Sequence, residues 1–400
     1  MLNPNTKLHR SPNLQIQLSS PDTVEIMRGA TVVNGGPHAL AILHIFARPT
    51  TLRDALDSLA QGVRGSQDWI NLTTALSYLY QTGILEDDSR DQRPLLDTTG
   101  FGAAPIHLEM LNDRQRTSCF LAAIAEVVRP GDVVVDIGTG TGVLAIAAVR
   151  AGAKRVYAIE STAMASVAAA IIAANGCSEQ ITLISGWSTQ VELPERGDVL
   201  TSEIIGNDPL GEQVLETTAD ARQRLLKLNP RLLPQQLAIY ALPLTLPPDE
   251  WARRVVTSET LDNWRSWYGM DFAELAAAQS ASATVFYLPP HRTQTWPVLS
   301  DPILLAKIDL NQAERYLNCT STAFATTSGH LDAILIYFEL QLSPTVSLST
   351  RPGQASSDCS WRCPLWLLGH SLFLQAQESF QVTYRYGIGR QGNLVQVSRP

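Results

Sequence analysis

Val133-Val134-Val135-Asp136-Ile137 is a β-branched, almost wholly apolar run, which predicts a buried strand. It breaks into Gly138-Thr139-Gly140-Thr141-Gly142, after which Val143 to Arg150 opens a helix. The same texture recurs at Arg155 to Ile159, Ile181 to Ile184 and Val199 to Ser202, with helical stretches such as Ala163 to Ala174 between them. Alternation of this kind predicts a parallel, helix-covered α/β sheet over roughly 119 to 233. Beyond Pro230 and Pro234 the pattern changes to short β-rich runs with frequent Pro and Gly, among them Leu237 to Leu242, Ala333 to Leu342 and Ser379 to Tyr386. An antiparallel β domain over 234–400 is expected there, interrupted by one helical stretch, Leu261 to Ala278.

The first part of the chain reads differently. Residues 1–20 are polar and rich in Pro and Asn, which predicts a flexible tail. From 21 to 95 a compact unit follows: a hairpin from Val24-Glu25-Ile26-Met27 and Thr31-Val32-Val33, then an apolar helix through Leu40, Ile42, Leu43 and Phe46 that Pro49 ends. Thr51-Leu52-Arg53-Asp54 is a capping box for a second helix, and Asp68 is placed to cap a third, which Gly83 stops before Ile84-Leu85 returns as a strand. This order of elements predicts a winged-helix-like unit.

Four hundred residues with 45% apolar content suffice for two or three cores. With 30 basic against 38 acidic residues the net charge is −8, and the basic residues are not clustered, so a nucleic-acid partner is disfavoured and a cationic substrate suits better. Five scattered cysteines imply no disulfide framework and a reducing, cytoplasmic compartment. Cys359 and Cys363 stand four apart without a second pair, so no metal is expected. No segment approaches the ~18 apolar residues of a membrane span.

Chemistry concentrates at two places. The glycine turn after the first strand lets the backbone approach a ligand, and Glu160 at the end of the next strand can accept both hydroxyls of a ribose. A nicotinamide dinucleotide fits that outline as well, but Gly-x-Gly-x-Gly lacks the third-glycine spacing of a pyrophosphate site, which favours S-adenosylmethionine. The second place is Glu203 to Glu212, which follows the fourth strand. A Gly and a Pro between the two acids allow a hairpin-like loop that sets both carboxylates on one planar cation. The alternative is that Glu203 caps the next helix and Glu212 is solvated.

These segments resemble the protein arginine methyltransferase family over about 97 to 400. Ile106-His107-Leu108-Glu109-Met110-Leu111-Asn112-Asp113-Arg114-Gln115-Arg116-Thr117 is similar to that family's N-terminal cofactor helix, Val133 to Gly142 to its first motif, and Glu203 to Glu212 to its double-glutamate loop. The resemblance implies a Rossmann-like class I methyltransferase sheet over 96–233 followed by a β-barrel, with a helical dimerisation arm at about 261–278 that carries Trp264 to Phe272. It implies an S-adenosylmethionine site of Met110, Arg116, Asp136, Gly138, Gly140, Gly142, Glu160 and Thr189, with Arg116 on the methionine carboxylate and Glu160 on the ribose. Glu203 and Glu212 become the catalytic pair, and the acceptor a peptide or protein arginine bound by a homodimer.

Departures cluster near the substrate. The family's Thr-His-Trp is Cys359-Ser360-Trp361 here, its closing tyrosines fall on Asp97 and Phe101, and Thr189 stands near the position of the acid that holds the adenine, with Trp187 beside it as packing. Asp208 adds a third acid to the loop, either joining the pair or turning the chain; with Phe101, Ser360 and Trp361 it makes up the expected substrate pocket. Two rival readings remain: methylation of a different side chain, and a catalytically silent assembly protein. The 21–95 unit resembles PqqD-like elements that grip the leader peptides of ribosomally made precursors by adding a strand to a sheet edge, which implies a leader-peptide partner.

Overall fold

The computed structural model describes residues 4, 6–11, 14–20, 23–28, 31–36, 38–60, 62–87, 100–281, 284–312, 314–387 and 394–399. The chain divides into two units, Met1–Leu96 and Asp97–Pro400.

The first unit holds β1 (Lys7–Arg10), β2 (Gln15–Ser20), β3 (Thr23–Arg28), β4 (Thr31–Asn34), α1 (Ala39–Ile45), β5 (Thr50–Thr51), α2 (Leu52–Ala60), α3 (Ser66–Gln81) and β6 (Leu85–Asp87). The expected flexible tail is corrected: β1 is the central strand of the sheet β5-β1-β6, with Leu8 fully buried, and β2 pairs β3 in the sheet β2-β3-β4. One apolar side chain on β1 is enough to anchor it, because Arg10 N–H donates to Phe46 O and Ser11 N–H to Ile84 O. The Thr51 hydroxyl accepts from Asp54 N–H at 3.2 Å, as a capping box should. Asp68 does not cap α3, whose N-cap is Gly65; it sits in the first turn and accepts from Arg64 N–H and faces His38 Nε2, each at 2.8 Å.

The second unit opens with a 3-10 turn, Gly100–Gly102, then α4 (Ala104–Asn112) and α5 (Arg114–Val127). The sheet follows: β7 (Val133–Ile137), α6 (Val143–Arg150), β8 (Arg155–Glu160), α7 (Met164–Ala174), β9 (Ile181–Ser185), β10 (Gly197–Ser202), α8 (Val214–Arg224) and β11 (Leu226–Leu233). All neighbours are parallel in the order β11-β10-β7-β8-β9. The order reverses between β7 and β10, and ligands of open parallel sheets bind at such a switch point. Burial on both faces explains the unalternating apolar pattern, since every residue of β7 is buried.

The antiparallel domain contains β12 (Gln236–Leu244), α9 (Pro248–Arg254), α10 (Ser258–Tyr268), α11 (Ala273–Ala281), β13 (Thr284–Leu288), α12 (Pro290–Thr293), β14 (Ile303–Asp309), β15 (Leu317–Phe324), β16 (Gly329–Gln341), β17 (Ser347–Ser349), β18 (Cys363–Leu374), β19 (Ser379–Tyr386) and β20 (Leu394–Ser398). Its sheets are β13-β18-β16-β12-β14 and β15-β19-β20. The single helix expected over 261–278 is two, because Gly269 at φ +67° ends α10 in a left-handed turn. No helix among the described residues is long and apolar enough to cross a membrane.

Candidate active site

Register places the site. Ile137 lies opposite Ser202 on one side and Ile159 on the other, so Gly138, Glu203 and Glu160 leave three adjacent strands at one level. Gly138, Gly140 and Gly142 have φ of +74°, +54° and +83°. A Cβ on Gly138 would meet Ile204 Cγ2 at 2.7 Å, and one on Gly140 would meet His107 Cε1 at 3.0 Å. The glycine turn is thus packed directly against the acid loop and against α4.

Beneath the turn Asp136 is fully buried and accepts from Thr139 Oγ1 at 2.5 Å and Thr201 Oγ1 at 2.7 Å. Burial outweighs these donors and pushes its carboxyl up to about 6. Glu160 is buried and accepts from Gly140 N–H at 2.8 Å with one oxygen, and from Thr162 N–H and Oγ1 at 2.8 and 2.7 Å with the other. Oε2, with one donor, keeps acceptor capacity for a further hydroxyl, whereas both lone-pair sites of Oε1 are taken by Thr162.

Asp113 ends α4 and begins α5, accepting from Arg116 N–H at 3.0 Å. That cap sets Arg116 facing inward, where its guanidinium pairs with Glu203, donates to Met110 Sδ at 3.7 Å and lies 5.2 Å from the Trp361 ring centre. Only 12% of the Arg116 side chain and 10% of the Glu203 side chain are exposed, so both charges are held inside the site. Glu203 caps no helix. Glu212 folds back across the loop until its Oε1 would lie 2.8 Å from a Cβ on Gly206. Burial first, and the Glu203 charge second, push its carboxyl up to about 7 against the pull of Arg116.

The other pocket residues divide. Trp361 donates through Nε1 to Ile205 O at 2.7 Å and meets Phe338 edge-on, holding the loop in place. Ser360 turns away from the acid pair and donates through N–H and Oγ to Asp113 at 2.8 and 3.2 Å. Asp208 leaves the pair too: its carbonyl accepts from Gly211 N–H at 2.9 Å, and its carboxylate accepts from Tyr384 Oη at 3.4 Å. Phe101 is exposed, although its carbonyl lies 2.7 Å from His107 Nε2; Asp97 lies outside the described residues. Thr189 is exposed in the turn after β9, and Trp187, expected to pack, is 44% exposed. His107, which no spacing marks, joins the Gly100–Gly102 turn to the glycine loop. Burial pushes the Cys359 thiol up to about 11 and that of Cys363 higher still, leaving both as packing groups.

A parallel sheet with a glycine turn and a buried acid at its switch point is the setting of a nucleoside-cofactor site, and comparisons supply the class. Residues 113–222 match the family described as ribosomal protein L11 methyltransferase (PrmA). The chain is 33% identical over 267 residues to arginine N(omega)-methyltransferase of Streptomyces achromogenes subsp. streptozoticus, covering 63% of this chain and 68% of that protein. It is 36% identical over 200 residues to a probable protein arginine N-methyltransferase 6 of Arabidopsis thaliana, 48% of this chain but only 44% of the relative's length. Among solved structures, the Trypanosoma brucei PRMT1 enzyme-prozyme heterotetrameric complex with AdoHcy aligns with a TM-score of 0.65 at 23% identity, over 76% of this chain and 95% of that one, a likeness of fold. The chain belongs to the arginine methyltransferase family. It is an S-adenosylmethionine-dependent methyltransferase with a Rossmann-like sheet and a β-barrel domain.

The residues present fit that cofactor. Arg116 Nε, Glu203 Oε1 and Ser202 Oγ are buried without a partner, and the glycines stand where any Cβ would intrude. Polar atoms so placed suit a charged ligand.

Proposed function

We propose that the protein methylates a guanidinium nitrogen of arginine in a peptide or protein. The observation that carries the reading is the pairing of Glu203 with a guanidinium, that of Arg116, while Glu212 lies close enough to feel its charge. Glu203 holds one guanidinium and Glu212 adds a second carboxylate beside it, which gives the site the charge for another. S-adenosylmethionine supplies an electrophilic methyl group. Arg116 and Met110 would hold its methionine end, Glu160 its ribose, and Asp136 keeps the glycine turn in register through Thr139. Glu203 and Glu212 keep the substrate group planar and draw its charge toward the two bound nitrogens, leaving the third to take the methyl. When bound, the cofactor would give up its methyl with the carbon–sulfur electrons remaining on sulfur, and the surplus proton of the methylated nitrogen would pass to water. Orientation, rather than a strong base, is what the site contributes.

The α10–α11 arm exposes Trp267, Tyr268 and Met270, which suits pairing of two copies into a homodimer. The sheet β2-β3-β4 keeps β2 and β4 at its edges, and strand addition there would let the first unit hold a leader peptide of a ribosomally made precursor in the cytoplasm.

The test is to incubate the protein with labelled cofactor and either arginine-rich peptides or precursor peptides with and without their leaders, and to map label by fragmentation. Label on arginine that disappears in Glu203→Gln is expected. Label confined to another side chain would overturn the arginine assignment, and leader-independent turnover would overturn the role of the first unit.

A further inference from the structure

Away from the acid loop, a cavity of about 750 Å³ opens between α10 and the adjoining end of the barrel sheet. On α10 the residues facing it are Glu259, Thr260, Asn263, Trp264 and Trp267, a spacing that puts all of them on one helical face. Trp251 of α9 supplies a third indole. The opposite wall is polar and built. Asp332 is buried and accepts from Leu246 N–H at 2.9 Å and from Ser371 Oγ at 2.6 Å, and His330 Nδ1 lies 3.1 Å from the same Ser371 oxygen. No Lys or Arg is among the described residues lining the cavity.

Serine stands between the imidazole and the carboxylate, so the order of this chain is wrong for an activated nucleophile, which needs the histidine in the middle. The wall therefore fixes a negative charge rather than preparing an attack. Three indoles, two carboxylates and no competing cation describe a receptor for an organic cation, whose flat or alkylated face rests on the ring quadrupoles while its charge faces the acids. Anions are repelled, and a neutral apolar ligand would leave Asn263 and Glu259 unmatched.

We propose that this cavity is a second cation site, separate from the Glu203–Glu212 pair, which takes a guanidinium or alkylammonium group. Two sources share that chemistry: a further basic side chain of the peptide substrate, or a free small cation. The peptide version rests on the arginine reading given above; the binding itself does not.

The experiment separates the two. In full-length Glu203→Gln protein, which weakens the acid-pair site, tryptophan fluorescence is followed while N-acetyl-arginine amide is added, with the neutral N-acetyl-citrulline amide as control. Saturable quenching by the arginine compound alone is expected. Adding Glu259→Gln or Trp267→Leu to that background should weaken it roughly two- to fivefold each. Equal response to citrulline, no saturation, or no effect of either variant would overturn the site. Because Trp267 is also on the exposed arm, the isosteric Glu259→Gln decides if Trp267→Leu changes the oligomeric state. Steady-state assays with one-arginine and two-arginine peptides then assign the source. A rise in KM for the two-arginine peptide alone, at constant kcat, in the single variant Glu259→Gln assigns it to the peptide. Unchanged KM for both peptides beside weakened amide binding assigns it to a free cation.

Discussion

Glu212 lies within the field of Glu203, and burial first, with this repulsion added, pushes its carboxyl up to about 7. The proposed chemistry needs both groups ionised. In the free enzyme Glu212 is protonated below that pH, so kcat/KM for a peptide should rise close to tenfold per pH unit on the acid side and flatten above about 7. Arg116 opposes the shift, so Arg116→Gln at saturating cofactor should move the rising limb to higher pH. A flat wild-type profile from about pH 5.5 to 8.5 would remove Glu212 from the mechanism.

The same group makes stability fall with pH. Its carboxyl is raised from 4.5 to about 7, so the folded state holds a proton that the unfolded chain has released. The stabilisation is complete below 4.5 and is lost as pH rises through about 7. Asp136, raised from 3.8 to about 6, has the same sign over a lower window. Glu212→Gln removes the first contribution. Its stability relative to wild type, measured by urea unfolding, should therefore improve from pH 5 to pH 8 by about 1–3 kcal/mol. A constant difference across that range would contradict the raised carboxyl.

The sequence carried the parallel sheet because its signal is local: β-branched runs such as Val133 to Ile137 sit in buried strands, Glu160 closes its strand and Glu203 directly follows its own. What it hid depends on distant partners. β1 has a single buried side chain, Leu8, and is held by Thr50–Thr51 and Leu85–Asp87 from far along the chain. β11 was obscured by Asn229, at φ +55°, and Pro230, both of which read as turn residues. Ser360 reads as a neighbour of the acid pair, yet it meets Asp113 across 247 residues. His107 has no repeating spacing to flag it; only the fold sets its ring over Gly140.

Gly138 tests how tightly the turn and the acid loop are coupled. Alanine there would hold φ +74° against its preference and place Cβ 2.7 Å from Ile204 Cγ2, beside Glu203. Gly176 is a matched control, with φ +69° and nothing within 4 Å of its Cβ. Both substitutions should cost about 1–2 kcal/mol through the left-handed backbone. Gly138→Ala alone should also lower methyl transfer tenfold or more, since Ile204 must move and Glu203 with it. Equal activity of the two variants would show that the loop tolerates the intrusion.

Asp113 acts on the acid pair through Arg116 and Trp361 through Ile205, and their variants should separate by readout. Asp113→Ala removes the cap of α5 and lets Arg116 turn, at a cost of about 1 kcal/mol in unfolding free energy. It should also weaken cofactor affinity in calorimetry. Trp361→Phe keeps an aromatic face under Arg116 but leaves Ile205 O without its indole donor in a buried setting, which costs about 1–3 kcal/mol. Its defect should fall mainly on kcat, because the loop that carries Glu203 and Glu212 loosens while the glycine turn is untouched. Ser360→Ala keeps the backbone N–H bond to Asp113 and should change little. If Ser360→Ala instead lost as much turnover as Asp113→Ala, the hydroxyl would have a direct role at the substrate that its bond to Asp113 argues against.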